Sequence, residues 1–121
     1  MRIKNIEVDF DFFDADNIEK FESEARKVVE KTEKEKQTEN MTLSNAIRLE
    51  CDIVEEFLDN VFGEGISEKI FKGKKNLMEH IKVFQEIVDE KNRKQQELQN
   101  LYNRYAPNNS NNFKRKNRKN V

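Results

Sequence analysis

The sequence predicts a mainly α fold: a small helical domain of three to four helices with one N-terminal β-strand or short hairpin and a long C-terminal helix. Only one segment alternates apolar and polar residues with a period of two. Three further segments repeat their apolar residues every three or four positions, and the last and longest of these runs from Leu77 to Tyr105, interrupted by Lys91 and Gln95. Composition agrees, since 121 residues with 39% charged and 35% hydrophobic side chains suffice for one small core with polar appendages and not for a large enzyme.

The strand comes first. Ile6, Val8, Phe10 and Phe12 alternate with Glu7, Asp9 and Asp11, which puts four β-prone apolar side chains on one face and acids on the other. A lone strand leaves its backbone groups unpaired, so it needs either a hairpin return through residues 1–4 or a strand from another chain. Ile6, Val8, Phe10 and Phe12 are therefore expected to form an oligomerisation strand.

Asp14 and Asp16 offer acidic N-caps to a first helix from about Asp16 to Lys36, whose stripe is Ile18, Phe21, Ala25, Val28 and Val29. Its outer face carries the pairs Glu22/Arg26 and Glu30/Lys34, each worth a few tenths of a kcal/mol. Thr42 or Ser44 can cap a second helix with a broad core stripe that includes Ala46, Cys51, Val54, Phe57, Leu58 and Val61. Gly63 and Gly65 end it. Ile66 and Phe71 staple a short helical turn around Ser67 before Gly73 breaks it, and Asn76 with Glu79 resembles a capping box that opens the last helix. Along that helix, positions 77, 81, 84, 88, 91, 95, 98, 102 and 105 make a seam with steps of four and three. Lys91 and Gln95 interrupt it where the helix is expected to leave the body, and Pro107 stops it. The resulting division is a helical domain over 1–90, an extension of the last helix over 91–106 and a disordered basic tail over 107–121.

The net charge of −1 hides an asymmetry. No acid follows Glu97, while Lys114, Arg115, Lys116, Arg118 and Lys119 crowd the last eight residues, leaving 18 basic against 24 acidic residues, a net −6, over 1–112. Attraction to phosphate therefore belongs to those five residues alone. They are the possible nucleic-acid contact, although a short basic, Asn-rich end is as often merely solubilising. Apolar runs never exceed two residues, as at Phe12-Phe13, so neither a membrane span nor a signal-peptide core is expected.

Motifs that carry chemistry are sparse. The lone Cys51 reads as a small buried hydrophobe in a reducing compartment, and the lone His80 as an ordinary surface or boundary residue of a helix. One Cys and one His make no zinc site. Asp9, Asp11, Asp14 and Asp16 fail as a calcium loop: counting from Asp9 puts Asp14 where the turn glycine belongs and Lys20 where the bidentate glutamate belongs. Gly73-Lys74 has Glu68 in place of the upstream glycine of a phosphate loop. No catalytic residue, cofactor or metal is expected.

Two segments, Val8 to Asn17 (VDFDFFDADN) and Phe57 to Asn76 (FLDNVFGEGISEKIFKGKKN), resemble the small tail assembly chaperones of long-tailed phages and prophages of Gram-positive bacteria. The resemblance covers roughly residues 3–90. It implies a mostly helical, non-virion viral protein of the host cytoplasm, a homo-oligomer, which binds the tape-measure protein, keeps it soluble and helps recruit the major tail (tube) protein. It also implies that a longer form can arise by a ribosomal frameshift. On this view Phe57, Val61, Phe62 and Phe71 form the partner-binding groove. The alternative is a small helical regulator that binds nucleic acid through its basic tail.

Overall fold

The computed structural model describes residues 1–106. The chain opens with a hairpin of β1 (Arg2–Ile3) and β2 (Ile6–Glu7), paired antiparallel with Ile3 opposite Ile6 and Arg2 opposite Glu7. Lys4 and Asn5 turn it with φ of 46° and 68°, the double left-handed geometry of a two-residue turn whose twist matches the strands. Met1 and Val8 exchange two further hydrogen bonds, at 2.7 and 3.2 Å. Of the two partners open to the strand, the chain thus supplies its own.

The expected strand over Ile6–Phe12 is corrected to β2 alone. Beyond Val8 the alternation persists without a ladder, because the Asp11 side chain accepts from the Phe13 N–H at 2.9 Å and bends the chain toward the first helix. The period of two here records side-chain placement. Val8 and Phe12 are buried and Ile6 and Phe10 half-buried in the chain's own core, with Asp9 and Asp11 outside. Those four side chains are therefore interior groups, and the side of the hairpin open to a neighbour is the outward backbone of Arg2 and Glu7.

Helix α1 spans Ala15–Lys36, and the Asp14 carboxylate caps it by accepting from the Asn17 N–H at 3.1 Å. Helix α2 spans Leu43–Phe62 and is capped by Thr42, which accepts from the Asn45 N–H at 3.2 Å. It ends at Gly63, whose φ of 129° and ψ of 142° suit glycine alone. Helix α3 is the short turn Ile66–Phe71, and α4 runs over Leu77–Tyr105, its first turn capped by Asn76. The Asn76 half of the expected capping box forms, but Glu79 turns outward and pairs with Lys4 of the hairpin turn.

Helix α2 is the central element. Against α1 it runs antiparallel, since Asn60 meets Glu24 at 3.0 Å, Glu56 meets Lys31 at 2.5 Å and Glu50 meets Thr32 at 3.2 Å. Against α4 the numbering rises together, from Glu55 with His80 to Phe57 with Phe84. An aromatic chain crosses the layers: Phe10 to Phe62 at 5.0 Å, Phe21 to Phe57 at 5.3 Å and Phe57 to Phe84 at 5.1 Å, all edge to face. The expected pairs Glu22/Arg26 and Glu30/Lys34 give way to Glu24–Lys27 at 2.9 Å and Glu33–Lys36 at 3.7 Å. Exposed pairs are worth so little that a rotamer preference decides between steps of three and four.

Candidate functional site

The buried face of α4 is not the one its sequence pattern announces. Fully buried positions are His80, Val83 and Ile87, one residue before the seam positions 81, 84 and 88. Ile81 on that seam is 50% exposed, Leu98 is 42% exposed and Tyr105 is 86% exposed. Phe84 packs on the core and Val88 sits at its edge. One residue is about 100° of rotation on a helix. The longest apolar repeat in the chain is thus only partly used by the chain's own core.

His80 sets this rotation. Its ring is stacked on Phe71, with centroids 3.6 Å apart and planes 8° from parallel, and none of it reaches solvent. Nδ1 lies 2.6 Å from the Asn76 carbonyl oxygen and Nε2 lies 2.7 Å from Glu55 Oε2. A carbonyl oxygen only accepts, so Nδ1 donates to Asn76 and Nε2 is left to pair with the Glu55 carboxyl group. Glu55 also accepts from Lys75 Nζ at 2.9 Å, and Lys75 donates to Asp52 at 2.7 Å. The Asp52 hydrogen bond, followed by that of Glu55, holds the Lys75 ammonium above the usual lysine range. The cluster straps α2 to the start of α4. His80, expected at the surface or boundary of its helix, is instead fully buried; the signal that points to this is the 80, 83, 87 spacing, which is helical once an imidazole with both nitrogens hydrogen-bonded counts as a core residue.

A groove of about 320 Å³ lies between α1 and α4, lined by Phe21, Ala25 and Val29 on one side and Val88 on the other. Glu22, Arg26, Lys91 and Asn92 rim it, and Lys91 bridges to Glu22 at 3.9 Å. Val29, at 62% exposure, is its open lip. Beyond it α4 continues for more than three turns, where Lys91–Gln95, Lys94–Glu97, Gln96–Asn100 and Gln99–Asn103 bond along the helix itself.

The partner-binding groove expected from Phe57, Val61, Phe62 and Phe71 is corrected: Phe57, Val61 and Phe71 are buried in the core and Phe62 packs against it, so the chain fills that space itself. Cys51 is fully buried, and burial pushes its thiol above the usual range, which keeps it protonated. Asp9 and Asp16 face outward, Asp11 and Asp14 serve the turn into α1, and among the described residues no trio of His, Cys, Asp or Glu is placed to hold a metal. No helix of the described residues is long and apolar enough to cross a membrane. The possible nucleic-acid contacts Lys114, Arg115, Lys116, Arg118 and Lys119 lie outside the described residues.

Residues 4–120 match the model of DUF6673, a family of unknown function, so the match takes in the distal half of α4 and the basic tail as well as the body. No curated protein and no solved structure matches the chain.

Proposed function

We propose that this chain, which belongs to the DUF6673 family, is a protein-binding adaptor of the tail assembly chaperone type. It binds the long helical tape-measure protein in the host cytoplasm, keeps it soluble, helps recruit tail-tube subunits and is left out of the finished particle. The observation that carries this reading is the apolar seam of α4 that its own core leaves open.

An amphipathic helix recognises a groove by apolar residues spaced three and four apart, with charges of both signs along the edges for register. The α1–α4 groove offers that chemistry: Phe21, Ala25, Val29 and Val88 as floor and lip, with Glu22, Arg26 and Lys91 as rim. The seam carries it forward along α4 through Leu98 to Tyr105, so a long helical client can lie against α4 over several turns. In this reading copies of the chain associate through the outward edge of the hairpin rather than through the buried Val8 and Phe12.

The test is co-expression with the tape-measure protein of a long-tailed phage or prophage of a Gram-positive bacterium. The native chain is expected to hold it soluble and to co-purify with it, while Val29→Glu with Ile81→Glu loses the client and keeps its helical circular dichroism. A client equally soluble with and without the chain, or equally bound by the double variant, would overturn the reading. So would finding the chain by mass spectrometry in purified particles.

A further inference from the structure

The hairpin turn, the end of α3 and the start of α4 enclose a cleft of about 800 Å³ that shares no residue with the α1–α4 groove. Lys4, Lys69, Lys72 and Lys74 line it, against the single acid Glu79. This is a cationic site on a body that is otherwise acidic. Lys4 is engaged by Glu79, whereas Lys69, Lys72 and Lys74 have no ion pair among the described residues. Elsewhere on the body Lys27, Lys31, Lys75 and Lys91 have carboxylate partners, and Lys20, Lys34 and Lys82, which also have no ion pair among the described residues, do not share one cleft.

Lys72 is held at a φ of 55°, a left-handed conformation that a side-chain-bearing residue adopts at a cost of about 1 kcal/mol and that glycine would take freely. The half-buried Ile6 lines the cleft, above the core residues Ile70 and Phe71. The N-terminal end of the 29-residue α4 opens beside it, adding the positive end of a long helix.

We propose that this cleft binds an acidic peptide segment of a partner protein, one that carries two or three carboxylates and an aliphatic or aromatic side chain. The three lysines without ion pairs receive the carboxylates, and the half-buried Ile6 receives the apolar group. A nucleic acid is the weaker fit: its phosphates continue past the cleft onto Glu79 and the Asp52–Glu55 pair, where a polyanion is repelled, whereas a short acidic segment ends within the lysines.

The experiment uses the full chain at physiological ionic strength, with fluorescence anisotropy of a labelled short Glu/Leu peptide, its Gln/Leu counterpart and a labelled single-stranded deoxyoligonucleotide. The Glu/Leu peptide is expected to bind and the Gln/Leu peptide not to bind. Replacing Lys69, Lys72 and Lys74 by Gln together should weaken the Glu/Leu peptide by about tenfold or more, in line with desolvated charge pairs at an interface. Lys74→Gln alone should give a smaller loss in the same direction, with circular dichroism unchanged in both variants. Replacing the five tail cations Lys114, Arg115, Lys116, Arg118 and Lys119 by Gln should leave peptide binding as it was. Three results would overturn the proposal: a loss that follows the tail variant instead, tighter binding of the oligonucleotide through Lys69, Lys72 and Lys74, or a native chain whose self-association disappears with those three lysines.

Discussion

His80 ties α2, α3 and the start of α4 together through one buried ring. It fills a buried space against Phe71 and satisfies the Asn76 carbonyl and the Glu55 carboxylate at once. His80→Leu keeps the volume but removes two hydrogen bonds, while the Asn76 carbonyl keeps the backbone N–H of residue 80 at 3.2 Å and Glu55 keeps Lys75 at 2.9 Å, so we expect it to cost about 1–3 kcal/mol in urea unfolding. Adding Glu55→Gln to that variant should deepen the loss slightly, since it also removes the ion pair with Lys75; a single-variant cost below about 0.5 kcal/mol would dismiss the strap. Two other carboxyls set opposing pH trends. Hydrogen bonds from Asn60 and then Lys27 hold Glu24 below its ordinary 4.5, so its contribution is present above that pH and is lost as pH falls through the lowered native value. Burial, then the neighbouring Glu35, pushes Glu50 above 4.5, so the native state keeps its proton longer than the unfolded chain and stability declines as pH rises through the raised value. Glu24→Gln should therefore flatten the acid limb of a stability–pH curve, and Glu50→Gln should flatten the decline above pH 4.5 and raise the unfolding midpoint at pH 7. Identical curves for the two variants would show that neither environment is as described.

At the scale of elements, the rotation of α4 makes a sharp contrast between two isoleucines on one helix. Ile87 is 1% exposed and Ile81 is 50% exposed, although Ile81 holds the regular seam position in the sequence. Ile87→Ala should cost about 2–5 kcal/mol by chemical denaturation, and Ile81→Ala less than about 0.5 kcal/mol. Equal costs would mean that the seam itself faces the core. Helix limits were legible because their causes are local: Asp14, Thr42 and Asn76 each cap within three residues of their own position, and Gly63 needs only its own φ. The face each helix buries was less legible, because it is decided by contacts far apart in the chain, above all Glu55 reaching His80. The lysine cleft escaped for the same reason, since its members come from residues 4 and 69–79, whereas the hairpin's extent escaped because the Asp11 turn that ends it lies within an unbroken alternation. The start of α3 shows the limit well: Asp59 of α2 caps it by accepting from the Ser67 N–H at 2.9 Å and the Ser67 hydroxyl at 3.0 Å, a role no spacing near Ser67 announces.

For the molecule as a whole, two kinds of attraction between copies follow from its layout, and salt separates them. Residues 1–112 carry a net −6 while the five cations that follow carry the opposite sign, so the basic end of one copy is drawn to the body of another. That attraction is between exposed charges and is screened when the Debye length shrinks from about 10 Å at 0.1 M salt toward about 3 Å at 1 M. The open seam of α4 acts differently, because apolar association is strengthened rather than weakened by salts excluded from the surface. Sedimentation velocity should therefore show self-association that falls from low to moderate salt and returns when ammonium sulfate is added. Replacing the five tail cations by Gln should remove only the low-salt component. Ile81→Glu with Leu98→Glu should remove only the component driven by sulfate, because neither residue contributes a cation and both are open to solvent. If one variant abolished both components, tail and seam would belong to a single interface, and the seam would no longer be available to a helical client.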